Sequence, residues 1–261
     1  MALQHKHERE DQHGAPSAVI GAAPTGASDE ASASVAVREM FSSIAPRYDL
    51  LNHVLSMNVD RLWWNRTART FHTVLNRPGA NILDVCCGTG DMTFALQRRM
   101  SFGSQGLFGA DFSHPMLVRA KEKTGTGRVS WIEADALHLP FAADQFDLIT
   151  AAFGFRNLAN YDRGLAEIFR VLKSEGEVGI LDFGEPKGLL GSIYRLYFRH
   201  ILPAIGTVIS GVQGPYAYLP KSVQRFPSPE QMLERMKAAG FREVSWTPYT
   251  FGIAGLYRGR K

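Results

Sequence analysis

The stretch Asn81-Ile82-Leu83-Asp84-Val85-Cys86-Cys87-Gly88-Thr89-Gly90-Asp91 decides the fold. The run from Ile82 to Val85 reads as a short strand, two glycines one residue apart follow it, and a helical stretch begins at once. The glycines let the backbone turn tightly and come close to a ligand, while the new helix aims its free N–H groups at whatever sits there. A dinucleotide fingerprint would carry a third glycine at position 93, where this chain has Thr93. NAD is therefore disfavoured, and a nicotinamide-dependent dehydrogenase stands only as the second enzyme class.

Downstream the same alternation repeats. Gly106 to Ala110, Val129 to Glu133, Phe146 to Ala152 and Glu177 to Phe183 read as strands, with helical stretches between them. One of these helices is expected over Tyr161 to Lys173, where Leu165, Ile168, Phe169 and Leu172 make a single apolar stripe. Such alternation predicts an α/β fold with a doubly wound, mostly parallel sheet. Nearer the end, Ser228 is an N-cap with Pro229 after it, Gln231 completes a capping box, and Gly240 stops the helix. Glu243 to Tyr249 and Phe251 to Tyr257 are so close together that they must pair antiparallel, so the sheet ends in a hairpin.

Upstream, Val37, Phe41 and Ile44 sit at helical spacing, and Tyr48, Leu51, Leu55 and Leu62 continue it to Trp63 and Trp64. This predicts a helical extension over residues 34–76. The first 33 residues hold no aromatic side chain and no sustained apolar period, so they read as a disordered tail. Glu8, Glu10 and Asp11 speak against a transit peptide, and no secretory apolar run is seen.

Composition narrows the class further. With 45% apolar and 21% charged residues in a chain of 261, the protein is ordinary globular material. An excess of 29 Lys+Arg over 25 Asp+Glu is too mild to call for nucleic acid. The only cysteines, Cys86 and Cys87, are adjacent, which suits neither a zinc site nor a disulfide framework and points to a reducing, cytoplasmic setting. The most apolar stretch, Gly188 to Gly211, is broken by Arg195, Arg199 and His200, so no bilayer span is expected.

Polar residues recur at the carboxyl edge of this expected sheet. Asp111 closes the second strand, 21 residues after Gly90, where a carboxylate can accept both hydroxyls of a ribose. Asp135 closes the third, near the place for an exocyclic amine, with the Ala136 backbone beside it and Phe112 and Met116 placed to cover a base. Gly88, Thr89 and Gly90 complete the set. A nucleoside without phosphates fits this layout. Against it, Asp84, Asp111, Asp135 and Asp182 are each also readable as caps and turn residues.

With Asp84-x-x-x-Gly88-x-Gly90, Asp111 and Asp135 in order, the chain resembles the class I S-adenosylmethionine-dependent methyltransferases, whose seven-stranded sheet has a reversed last strand. More closely, Tyr48-Asp49-Leu-Leu-Asn52-His-Val-Leu-Ser56 followed by Trp63, Phe153-Gly154-Phe155-Arg156-Asn157, and Arg170-Val171-Leu172-Lys173 before Gly176 are similar to signatures of the demethylmenaquinone/ubiquinone C-methyltransferase family. The likeness runs from about Val35 to Lys261. It departs at Leu51, Asp60, Ser174-Glu175, Asp182 and Gly184, and Ala152 stands where some members carry a serine that contacts the cofactor. The Cys-Cys-Gly-Thr turn and Pro248-Tyr-Thr-Phe-Gly252 are nearer the menaquinone branch than the ubiquinone one.

The resemblance implies S-adenosylmethionine as methyl donor and a prenylated quinol as acceptor, methylated on carbon, with no metal. Residues 34–261 would form the methyltransferase domain, and 187–226 an insertion facing substrate and membrane. A ring hydroxyl must lose its proton to make the carbon nucleophilic. A cation that lowers its pKa by roughly 2 units from about 10 contributes about 2.7 kcal/mol. Arg156 is the candidate cation, Asp49 and His53 candidate proton acceptors, and Tyr48 a candidate for positioning the ring. Lys187, Arg195 and Arg199 lie in register along a Lys187 to Leu202 segment that is otherwise mostly apolar, which suits the inner face of a cytoplasmic membrane or, as the rival account, a core helix beneath a substrate lid. A second copy of the chain is a further candidate partner. The competing readings are ubiquinone-pathway methylation and, in another class, a non-catalytic scaffold that binds a nucleoside or lipid.

Overall fold

The computed structural model describes residues 20–22, 24, 26–47, 58–101, 106–125, 129–184, 186 and 215–261. Seven strands form one sheet: β1 (Asn81–Val85), β2 (Gly106–Asp111), β3 (Ser130–Glu133), β4 (Phe146–Ala152), β5 (Leu172–Phe183), β6 (Arg242–Tyr249) and β7 (Ala254–Arg260). Their order is β3-β2-β1-β4-β5-β7-β6, and only β7 runs against its neighbours. This is the doubly wound sheet with the reversed last strand that the sequence predicts.

Alternation along the strands feeds two cores, because successive side chains point to opposite faces. On one face Ile82, Leu148, Leu181 and Leu256 are buried with Trp63, Trp64, Phe71 and Leu96. On the other, Leu83, Ile149, Val178 and Ile180 are buried with Leu165, Ile168, Met232 and Met236. The helices are α1 (Glu30–Ile44), α2 (Val59–Thr70), α3 (His72–Leu75), α4 (Asp91–Gln97), α5 (His114–Thr124), α6 (Tyr161–Val171), α7 (Pro215–Arg225) and α8 (Pro229–Ala238). In α8 the capping box of Ser228 and Gln231 forms as expected, and Gly240 takes φ +104° beyond the helix end.

Several boundaries differ from expectation, among them β5, which begins at Leu172 rather than Glu177. Helix α1 begins at Glu30, inside the expected tail, because Asp29 caps Ser32 N–H at 2.8 Å and Ser32 answers with its own hydroxyl. The tail is docked further back still: the Gly21 and Ala22 N–H groups donate to Ala159 and Leu158 carbonyls at 2.9 and 2.8 Å. Helix α6 stops at Val171 rather than Lys173, since Leu172 is already extended and paired with Phe146. The last strand starts at Ala254 rather than Phe251, because Thr250–Gly252 forms a 3-10 turn.

The order of strands matters for the site. Chain growth runs outward from β1 through β2 to β3, then returns to place β4 on the other side of β1. Ligands of open α/β sheets bind at the carboxyl ends of the strands at such a reversal. The loops after β1 and β4 meet there, with Gly154 so close to Cys86 that a Cβ on Gly154 would overlap it.

Candidate functional site

The glycine turn is held from both sides. Gly88 and Gly90 take φ +55° and +89°, and Gly90 N–H donates to Cys87 carbonyl at 2.9 Å. The Cys87 N–H reaches the Ala110 carbonyl on β2 at 3.0 Å, and Gly88 N–H donates to Asp111 Oδ2 at 2.8 Å. The Thr89 hydroxyl accepts from Lys123 Nζ at 3.1 Å, so its side chain turns towards α5.

Asp84 lies below this turn rather than at the ligand surface. It is fully buried and accepts from Thr93 Oγ1 at 2.6 Å and Thr150 Oγ1 at 2.8 Å, and burial still pushes its pKa up to about 7. The residue that replaces the third glycine therefore supplies a donor that Asp84 needs. Asp84 is neither a cap nor a turn residue: it ties β1 to α4 and β4 through its two threonine donors.

Asp111 is different. Its Oδ1 accepts from Ser113 N–H at 2.9 Å and its Oδ2 from Gly88, one backbone donor per oxygen. Burial raises its pKa to about 6 against backbone hydrogen bonds from Ser113, Gly88 and Phe112. Each oxygen keeps a lone pair that can accept from a further hydroxyl. Asp135, two residues past β3, accepts from Leu137 N–H at 2.9 Å and is half-exposed, with Ala136 buried beside it. Met116 does not present a face to a base: it is buried against Ile44, Ala45 and Phe41. Helix α1 thus closes over this end, fastened by Ser42 to Ser113 at 2.9 Å and by Arg38 to Glu133 at 2.6 Å.

Across the reversal, β4 and β5 build a second half-site. Arg156 follows β4 in a 3-10 turn, Phe155–Asn157, and is 5% exposed, so it is no surface ion pair. Its Nη1 donates to Asp182 Oδ1 at 2.8 Å and its backbone N–H to Oδ2 at 3.0 Å. Asp182, to which the sequence gives no firm role, is the counter-ion that aims this guanidinium. The pair is close to neutral, so the simple field of a free cation is replaced by a directed N–H group. The guanidinium stands 5.1 Å from the Phe183 ring. Phe183 and Phe153 lie 4.6 Å apart, and Trp63 packs against both at 6.2 and 5.8 Å. Phe153 is held at φ +57° to reach this wall.

Among the described residues four buried side-chain polar atoms lack a hydrogen-bond partner, and three of them gather here: Arg156 Nε, Asn157 Oδ1 and the Tyr218 hydroxyl. Tyr218 comes from α7, which packs on the 155–157 turn. Burial pushes its pKa up to about 12, against the opposing pull of Arg156 and Arg225. Sequence reasoning missed Tyr218 and Phe183, and took Phe153 only as part of a family signature. Asp182 was within reach of it, since its alternation with Val178 and Ile180 leads to the strand's last inward position. Tyr48, Asp49, His53 and the Lys187 to Leu202 segment lie outside the described residues. The Arg170–Lys173 signature serves structure instead: Arg170 binds the Phe141 and Leu139 carbonyls at 2.8 and 3.0 Å, and Lys173 binds Asp147 at 2.7 Å.

Comparison with known proteins agrees with this geometry. The chain is 48% identical over 229 residues to the demethylmenaquinone methyltransferase of Deinococcus radiodurans, covering 87% of this chain and 92% of the relative. It is 46% identical over 223 residues to the demethylmenaquinone methyltransferase of Thermus thermophilus, covering 84% and 99%. In fold it matches a solved S-adenosylmethionine-dependent methyltransferase from Thermotoga maritima with a TM-score of 0.61 at 19% identity, over 86% of this chain and 99% of that one. A profile of the ubiE/COQ5 methyltransferase family spans residues 27–261, all but the first tenth of the sequence, and the chain belongs to that family.

Proposed function

We propose that the protein methylates a ring carbon of a prenylated quinol, converting demethylmenaquinol to menaquinol with S-adenosylmethionine as donor. Membership of a methyltransferase family removes support from the dehydrogenase and scaffold readings. The donor supplies an electrophilic methyl group on a sulfonium sulfur; Asp111 holds its sugar, with Asp135, Ala136 and the Gly88–Thr89–Gly90 turn around the rest.

The observation that carries the acceptor side is the orphaned trio. A buried polar group without a partner costs about 1–3 kcal/mol, so three together favour a ligand that supplies their partners. A quinol ring does, with hydroxyls that both donate and accept. Arg156 Nε and Tyr218 donate to the oxygen that loses its proton, Asn157 Oδ1 accepts from a hydroxyl, and the flat ring lies along Trp63, Phe153 and Phe183. Arg156 cannot be the base; on the sequence signature we assign the proton to Asp49 and the ring's orientation to Tyr48. The prenyl tail keeps the acceptor in a bilayer, and Lys187 to Leu202 is the sequence's candidate contact.

Removing Arg156 altogether would leave Asp182 buried and unpaired, so Arg156→Lys is the sharper variant. It should lower kcat at least tenfold while the dissociation constant for S-adenosylmethionine stays put. Equal losses in both would contradict the assigned role.

A further inference from the structure

Helix α2 presents a cationic and partly apolar face to solvent, well apart in sequence from Lys187 to Leu202. Of its residues, Arg61, Leu62, Arg66 and Arg69 are exposed, while Asp60, its one carboxylate, is buried. Among the described residues no ion pair neutralises these three guanidiniums, although Arg66 also lies 4.2 Å over the Tyr249 ring. Leu62 is 67% exposed.

The neighbouring turn adds the second observation. Trp63 Nε1 donates to Thr250 Oγ1 at 2.8 Å, and Arg66 stacks on Tyr249, so α2 and the Thr250–Gly252 turn are fastened side by side. At the tip of that turn Phe251 is 80% exposed, and it and Leu62 are the two most exposed large apolar side chains among the described residues. Thr250 and Phe251 take φ +44° and +58°, a left-handed conformation that side-chain-bearing residues rarely adopt in succession. Such strain, spent on holding a phenylalanine in water, calls for something to receive it. The turn stands at the carboxyl edge of the sheet, where Ala254 pairs with Phe183 of the aromatic wall.

We infer that α2 and the Thr250–Gly252 turn form a docking face for an anionic lipid bilayer, with Phe251 and Leu62 entering the headgroup layer and Arg61, Arg66 and Arg69 lying on the lipid phosphates. Apolar tips flanked by arginines that no described residue neutralises match such a surface, and each arginine adds to the attraction. The inference rests on the proposed function in one respect: a face beside the aromatic wall shortens the path of a membrane-held ring to the site.

Vesicle sedimentation of the full chain, without quinol, tests it. With phosphatidylglycerol-rich vesicles the wild type should bind, more weakly as salt rises, and much more weakly to pure phosphatidylcholine. Leu62→Ser with Phe251→Ser should reduce binding at least tenfold, and Arg61→Gln, Arg66→Gln and Arg69→Gln about fivefold each. In every variant S-adenosylmethionine binding and methylation of a short-tailed, water-soluble demethylated quinol should match wild type. Wild-type binding that ignores lipid charge, or variants that bind vesicles as wild type does, would overturn the inference. So would binding to a soluble polyanion but not to vesicles. Because the soluble-quinol assay needs no membrane, failure of the proposed reaction shows there separately.

Discussion

In the role proposed for it, Asp111 is asked for opposite things by folding and by a ligand. Its folded pKa of about 6 lies above the ordinary 3.8, so the stability it contributes is complete below the unfolded value and is lost as pH rises through 6. Ribose hydroxyls need the carboxylate, so donor binding should run the other way. We expect the affinity for S-adenosylmethionine, measured by calorimetry, to fall below pH 6 by up to about tenfold per unit, and Asp111→Asn to bind weakly at every pH. A wild-type affinity flat from pH 5 to 8 would contradict the assignment. Tyr218 makes a second residue-scale test. Its hydroxyl has no partner, so Tyr218→Phe should leave the unfolding temperature of the free protein unchanged or raised while lowering kcat/KM for the quinol tenfold or more. A loss of stability instead would mean the hydroxyl is structural. Thr93 supplies the contrast: Thr93→Val strips a donor from buried Asp84 and should cost about 1–3 kcal/mol in urea unfolding, with Thr93→Ser close to wild type.

At the scale of elements, what was legible depended on whether the signal was local. Ser228, Pro229, Gln231 and Gly240 wrote α8 within thirteen residues, and the helix formed as written. Ser228→Ala should therefore cost about 1 kcal/mol of stability and leave methyl transfer untouched. Helix α1 was placed late because its box closes with Ser32 rather than the more usual Glu or Gln, and because its first turn, Glu30 to Ala33, carries no apolar stripe. The Arg156–Asp182 pair was harder. It depends on the β4–β5 register, which sets Ala152 beside Leu181 and so brings two strand ends level. Pattern along one strand carries no such information. Phe251 misled for a similar reason: its apolar side chain extends the period of β7, but the chain spends it outward.

The whole molecule joins two half-sites across one strand reversal. The β1–β2–β3 side, with Asp111 and the glycine turn, was readable because the spacing from Gly90 to Asp111 spans one helix and the strand that follows it. The β4–β5 side, with Arg156, Asp182, Tyr218 and the aromatic wall, draws on residues from four separate parts of the chain and became visible only when they were folded together. No helix among the described residues is long and apolar enough to cross a membrane. The most direct test is to incubate the purified chain with S-adenosylmethionine and demethylmenaquinol in anionic vesicles and follow both products by mass spectrometry. Equimolar S-adenosylhomocysteine and menaquinol are predicted; donor that binds normally while neither product forms would contradict the proposed reaction.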